Sequence, residues 1–225
     1  MKEQPIICFM GLDGSGKSTS INHAYEQLQK RGFDVEIVRA AYVIKYMSFF
    51  LKLGKRLVMK KKSDPYGGDY KAYLEKMRQQ SKDGLIYRLF SALTTFEFKL
   101  QIWWEIKRKH KNGKLLLVDR YIYDNAVTYA ANLGLGETYM RDTIQGKWKN
   151  APKADCLIYI KTPVALCCSR KDDIPDPLYL EIREPLYDKI ANMYGAVTIS
   201  GSQSLDAMLN QVDVVVEDAI RGYQH

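Results

Sequence analysis

Gly11-Leu12-Asp13-Gly14-Ser15-Gly16-Lys17-Ser18 fits the spacing GxxxxGK[ST] in full, and Thr19 follows it. The spacing describes a phosphate cradle. Glycines let consecutive backbone N–H groups turn inward as an anion nest, and a helix opening directly behind them adds the positive end of its dipole. A lysine at the seventh position reaches the β- and γ-phosphates, and the next hydroxyl suits Mg²⁺. The plain alternative is a Gly-rich turn capping a helix, with Lys17 on the surface. Context argues for the cradle, because the apolar run Pro5 to Met10 precedes it and a helical pattern from Ser18 to Arg31 follows, stopped by Gly32. The expected ligand is ATP with Mg²⁺, held by Gly11, Gly14, Ser15, Gly16, Lys17, Ser18 and Thr19.

Asp119 offers a second acidic position. It ends the buried run Leu115 to Val118 and is followed by Arg120 and Tyr121. A carboxylate at such a strand end holds Mg²⁺ directly or through water, and an arginine beside it can clamp a second phosphate with two parallel hydrogen bonds. A structural Asp–Arg pair is the bland reading. Ser18 and Asp119 are the expected metal ligands.

These residues need a frame that brings them together. Short apolar runs at Pro5 to Met10, Val35 to Val38, Leu115 to Val118, Cys156 to Ile160 and Ala196 to Ile199 predict five strands. Helical patterns lie between them, at about 70–82, 84–111, 124–133, 138–149, 163–170, 178–193 and 204–221. Alternation of this kind predicts an α/β fold with a parallel sheet covered on both faces. Its ligands bind beyond the carboxyl ends of the strands, so the residues after Met10, Val38, Val118, Ile160 and Ile199 should share one crevice. A single domain over 1–225 is the simplest division. The stretch from about 40 to 70 is the least regular.

Composition sets wider bounds. The chain has 225 residues, 46% of them apolar and 27% charged, as in a globular α/β domain. No apolar run reaches the roughly 18 residues of a spanning helix, and the four cysteines show no CxxC spacing. Reduced thiols in a cytoplasmic protein are expected. The net charge of +8 gathers partly at Lys52, Lys55, Arg56 and Lys60 to Lys62, and partly at Lys107 to Lys111. A solvated face that draws in polyphosphates is the plain reading, and a nucleic-acid or anionic-membrane surface the sharper one. Trp103 and Trp104, near Phe96, Phe98, Leu100 and Ile102, are read as core packing.

The chain resembles the thymidylate kinase family of nucleoside monophosphate kinases. GLDGSGKST over Gly11 to Thr19 is similar to that family's P-loop, Asp119-Arg120-Tyr121 to its DRY signature, and Leu89-Phe90-Ser91-Ala92 to its LFSA segment. Ser169-Arg170-Lys171 falls where a mobile lid begins, at about 169–177, and Tyr179 to Arg183 looks like the helix after it. The resemblance implies a P-loop NTPase sandwich of three layers, helices on either side of five parallel strands, with an acceptor-binding insertion at about 40–100. It implies that Asp13 touches the acceptor sugar or assists proton transfer, that Arg120 holds the acceptor phosphate, and that Arg170 stabilises the transferring phosphoryl group. Arg39, Phe90 and Tyr121 join Arg120 on the acceptor side, with Phe90 stacking on the base. A homodimer is a further possibility.

The sequence also departs from the family's pattern. After the second strand only Arg39 remains of an R-E-P-G-like segment, and Thr94 stands where the family places an arginine that reads thymine. The expectation is transfer of the γ-phosphoryl group of ATP to a nucleoside monophosphate, with dTMP a poor acceptor. A kinase of the same fold with another acceptor, and a nucleotide-dependent regulatory ATPase, are the alternatives.

Overall fold

Ile6–Met10, buried at every position, forms β1, the middle strand of the sheet. The computed structural model describes residues 4–40, 69–82 and 85–223. In chain order the elements are β1; α1, Lys17–Lys30; β2, Val35–Val38; α2, Tyr70–Lys82; and α3, Leu85–Gln101, which runs on through a π-helical stretch, Ile102–Lys107, into α4, Arg108–Lys111. Then come β3, Leu115–Asp119; α5, Ile122–Leu133; α6, Glu137–Asp142, prolonged by a π stretch, Thr143–Lys147; β4, Cys156–Lys161; α7, Val164–Arg170; α8, Pro177–Glu181; α9, Glu184–Tyr194; β5, Val197–Ser200; and α10, Leu205–Arg221.

The strands lie in the order β2-β3-β1-β4-β5, and every pairing is parallel. Because parallel crossovers place helices on both faces, β1 and β3 read as unbroken apolar runs rather than alternations. Ile7, Phe9, Leu115 and Leu117 face one layer, built from Ile21, Ala24 and Leu28 of α1 and Met208, Val212, Val216 and Ile220 of α10. The intervals of three or four residues keep those side chains on one helical stripe. Ile6, Cys8, Met10, Leu116 and Val118 face the other layer, built from α3, α5 and α9. Each aliphatic side chain so buried contributes about 1.5–3 kcal/mol. The expected α/β sandwich, with its five parallel strands between helical layers, is the observed one.

Two local expectations need correction. Trp103 and Trp104 are not core: they are 49% and 39% exposed, as Phe96 is at 54%. Phe98, Ile102 and Ile106 occupy the buried stripe of that helix, which turns the two indoles outward. There Arg108 lies over the Trp104 ring, 4.7 Å from its centroid. The helical pattern at 178–193 is split into α8 and α9, since Pro185 stands in the first turn of α9 and has no N–H to continue a helix. Finally, the irregular stretch and its basic cluster at 52–62 lie outside the described residues, so the acceptor-side expectation there stays a sequence reading.

Candidate functional site

The turn from β1 to α1 is shaped by glycines that nothing else can replace. Gly11 has φ +143°, and a Cβ there would sit 2.5 Å from the Ile160 carbonyl oxygen. Gly14 has φ +82°, and a Cβ would lie equally close to the Cys167 oxygen. The loop therefore packs against β4 and α7. Thr162 fixes it from the side, donating to the Ser15 carbonyl at 2.9 Å. Lys17 is 5% exposed and folds back over the loop, donating to the carbonyls of Gly11, at 2.8 Å, and Leu12. Burial, reinforced by the nearby Arg120 charge, pushes its ammonium down to about 8.

The segment after β3 is bent by its second residue. Arg120 has φ +66°, the only positive φ outside glycine among the described residues. A side chain in that region is held there by its surroundings. Here the Arg120 carbonyl takes the N–H of Ala40 at 3.3 Å, and its guanidinium bonds the Asp13 carboxylate. Asp124, one turn into α5, lies 3.9 Å from Arg120, accepts the Tyr121 N–H at 3.2 Å and takes the Tyr187 hydroxyl at 2.8 Å. Complete burial raises the Asp124 carboxyl above the ordinary range. Asp13 goes the other way. Burial raises it, but the charges of Arg120, Lys17 and Lys171 and the Tyr179 hydroxyl together hold it below the ordinary range.

A cavity of about 590 Å³ opens at this edge of the sheet. Asp13, Gly14, Ser15, Gly16, Lys17, Ser18, Thr19, Arg39, Asp119, Arg120 and Arg170 all line it. The carboxyl-end rule thus brings together residues from the β1, β2, β3 and β4 crossovers. Gly11 lies just beneath, with its carbonyl on Lys17. The Arg39 Nε is 3.7 Å from Asp119, and Arg170 donates to the Gly201 carbonyl at 3.1 Å.

One expected acceptor residue is not part of this wall. Tyr121 is wholly buried and its hydroxyl donates to the Pro152 carbonyl at 2.8 Å. The left-handed turn at Arg120 sends the two neighbouring side chains apart, one to the cavity and one to the core. The Phe90 side chain lies outside the described residues. Thr94 is buried, with its hydroxyl on the Ser91 carbonyl at 3.0 Å.

Sequence reasoning missed several residues. Gly201, Gln203, Leu205 and Met208, after β5, line the same cavity as the P-loop, with Lys171 opposite. Their only signal was their place beyond a strand's carboxyl end. Asn125 on α5 is 3% exposed, and both atoms of its amide are buried without a hydrogen-bond partner. A buried amide in that condition is costly, and no motif pointed to it. Tyr179, which reaches Asp13 from α8, and Arg183, which holds Tyr179, gave only a family likeness.

The chemistry fits a magnesium nucleotide. No cluster of three or more metal-ligating side chains occurs among the described residues. Mg²⁺ does not require one, since it takes one or two protein oxygens and completes its shell with phosphates and water. Ser18 and Asp119, on one cavity wall, are such a set.

No family model matches the chain. It is 28% identical over 169 residues to a probable thymidylate kinase of Sulfurisphaera tokodaii, an alignment covering 74% of this chain and 70% of that relative. The chain is thus similar in sequence to a probable thymidylate kinase, and its own fold is a five-stranded parallel sheet between helical layers.

Proposed function

We propose that the protein transfers the γ-phosphoryl group of ATP to a nucleoside monophosphate. The observation that carries this reading is the meeting of five cationic side chains, Lys17, Arg39, Arg120, Arg170 and Lys171, with Ser18 and Asp119 around one cavity. Phosphoryl transfer passes through a loose, anionic transition state, so catalysis is positioning plus positive charge. A regulatory ATPase needs the cradle, but it has no use for a second guanidinium site facing it.

In this reading the chain from 1 to 225 is one kinase domain. The loop nest and Lys17 hold the triphosphate, and Ser18 and Asp119 hold the Mg²⁺, which shields phosphate charge when bound. Leu205 and Met208 offer the apolar surface on which the base of ATP rests. Arg120 receives the acceptor phosphate and Asp13 orients Arg120. Arg170 and Lys171 open the loop before α8, which closes as a lid over about 169–177 and excludes water. The acceptor side is assigned to about 40–100 together with the start of α5, beside Arg120. The relative's printed name supports the kinase reading, and the cytoplasm is the compartment in which its four free thiols would persist.

The test is ATP consumption, with product identified, against nucleoside monophosphates, nucleosides and DNA. Transfer to one or more monophosphates is expected, with dTMP turned over poorly because Thr94 cannot charge-pair as an arginine would. Slow hydrolysis with no phosphorylated product would overturn the proposal.

A further inference from the structure

Arg183 carries a charge that the proposed reaction does not use. It is 5% exposed, and no carboxylate lies within salt-bridge distance of it among the described residues. Taking a guanidinium out of water without an opposite charge is unfavourable, so its neighbours must hold it for a reason. One terminal nitrogen donates to the Tyr70 hydroxyl at 3.0 Å and the Tyr179 carbonyl at 2.8 Å. The other donates to Asn132 at 2.9 Å. Its plane lies over the Tyr179 ring, 3.8 Å from the centroid, which is a cation–π contact of the desolvated kind. The Tyr179 ring is held from a second side by Tyr70, edge-on at 5.7 Å.

The location matters as much as the contacts. Arg183 occupies the break between α8 and α9, at the end of the segment that begins with Arg170 and Lys171. From there it grips α2 through Tyr70 and α5 through Asn132. Tyr179 in turn reaches the P-loop, where its hydroxyl donates to one Asp13 oxygen at 3.2 Å while Arg120 bonds the other. Asp13 is thus fixed at both oxygens.

We propose that Arg183 is a positioning residue: it clamps Tyr179 on Asp13, and so couples the segment after the 171–176 loop to the orientation of Arg120. The proposal rests on the phosphotransferase reading for its effect on rate, but the clamp itself does not. Tyr179 presents a hydroxyl at a fixed distance from Asp13 only while its ring is sandwiched. Lysine cannot replace Arg183, since a tetrahedral ammonium cannot lie flat on the Tyr179 ring while its donors reach Tyr70, the Tyr179 carbonyl and Asn132 from two separate nitrogens.

The test pairs a kinetic with a structural readout on the full chain. Tyr179→Phe removes one hydroxyl and leaves the ring; Arg183→Met removes the clamp; Arg183→Lys keeps the charge. In each, kcat with the best acceptor should fall on the order of tenfold, as expected for one hydrogen bond to a charged group, while the KM for ATP stays within about twofold. The double variant Tyr179→Phe/Arg183→Met should fall no further than the worse single one, because the two act as a unit. Hydrogen–deuterium exchange of the Leu178 to Arg183 amides should quicken in every variant, with the unfolding midpoint of Tyr179→Phe unchanged. Unaltered exchange would overturn the clamp whether or not the protein is a kinase. Quickened exchange with kcat unaltered would overturn the positioning role. A wild-type protein that phosphorylates no acceptor would remove the proposed function and leave the clamp to be judged by exchange.

Discussion

The two sides of the cavity are built in different ways. On the proposed donor side the wall is backbone: a loop of glycines, packed so closely on Ile160 and Cys167 that a methyl group would not fit at Gly11 or Gly14. On the proposed acceptor side it is side chains: Asp13, Arg39 and Arg120 come from three separate segments. Backbone recognition needs residues at fixed spacing within one loop, so it leaves a readable pattern. Side-chain recognition needs only that remote positions converge, so it leaves little. The donor side should accordingly fail most sharply when Lys17, the cation buried in its loop, is lost, and the acceptor side by degrees.

The largest expected effect is at Lys17. Lys17→Ala should lower kcat by about 10³-fold or more, since it removes the one flexible cation reaching the transferring phosphoryl group. Its ammonium bonds loop carbonyls rather than core groups, so cooperative unfolding should survive, as circular dichroism melting would show. Retained activity would remove the donor-side assignment.

Arg120→Lys should come next, at about 10²-fold in kcat/KM for the acceptor. A point charge cannot hold a phosphate and the Asp13 carboxylate as a planar fork does. If the loss appeared in the KM for ATP instead, Arg120 would belong to the donor side. Asp119→Asn sharpens the same boundary: the neutral amide is a poorer ligand for a hard cation, so the Mg²⁺ concentration for half-maximal rate should rise severalfold.

Asn125→Ala should be milder, about tenfold in kcat/KM for the acceptor and none for ATP, because Asn125 follows Asp124, the neighbour of Arg120, and does not line the phosphate cavity. Equal loss for purine and pyrimidine acceptors would make Asn125 a packing residue.

The same contrast explains what the sequence revealed. The strands were legible because β1 and β3 are buried on both faces and so are apolar throughout. The P-loop and Asp119-Arg120 were legible because spacing and strand-end position coincide. Tyr121 was misplaced because its neighbour's left-handed φ, invisible in a residue list, divides Arg120 from Tyr121. Trp103 and Trp104 were misplaced because aromatic content was taken for burial, when the stripe Phe98, Ile102 and Ile106 already filled the core side. Asn125 and Arg183 were hidden for a third reason. Their significance lies in partners that are missing or uncharged, and that is a property of surroundings, not of spacing.

The smallest effect expected separates the two sides by pH. Burial lowers the Lys17 ammonium to about 8 in the free protein. The charged form is the one that meets phosphate, so kcat/KM for ATP should decline as pH rises through about 8, by roughly fourfold at half a unit above and approaching tenfold per unit beyond. Once ATP is bound, its phosphates favour the ammonium and move that ionisation upward. The decline should therefore be absent from kcat, and absent from kcat/KM for the acceptor measured at saturating ATP. The Arg120 guanidinium cannot mimic it, since it stays protonated throughout. Lys17→Arg, whatever its residual rate, should lose the alkaline limb. A decline of equal steepness in kcat would point to an ionisation in the ternary complex. It would mean that the two sides share one titrating group and are not separately built.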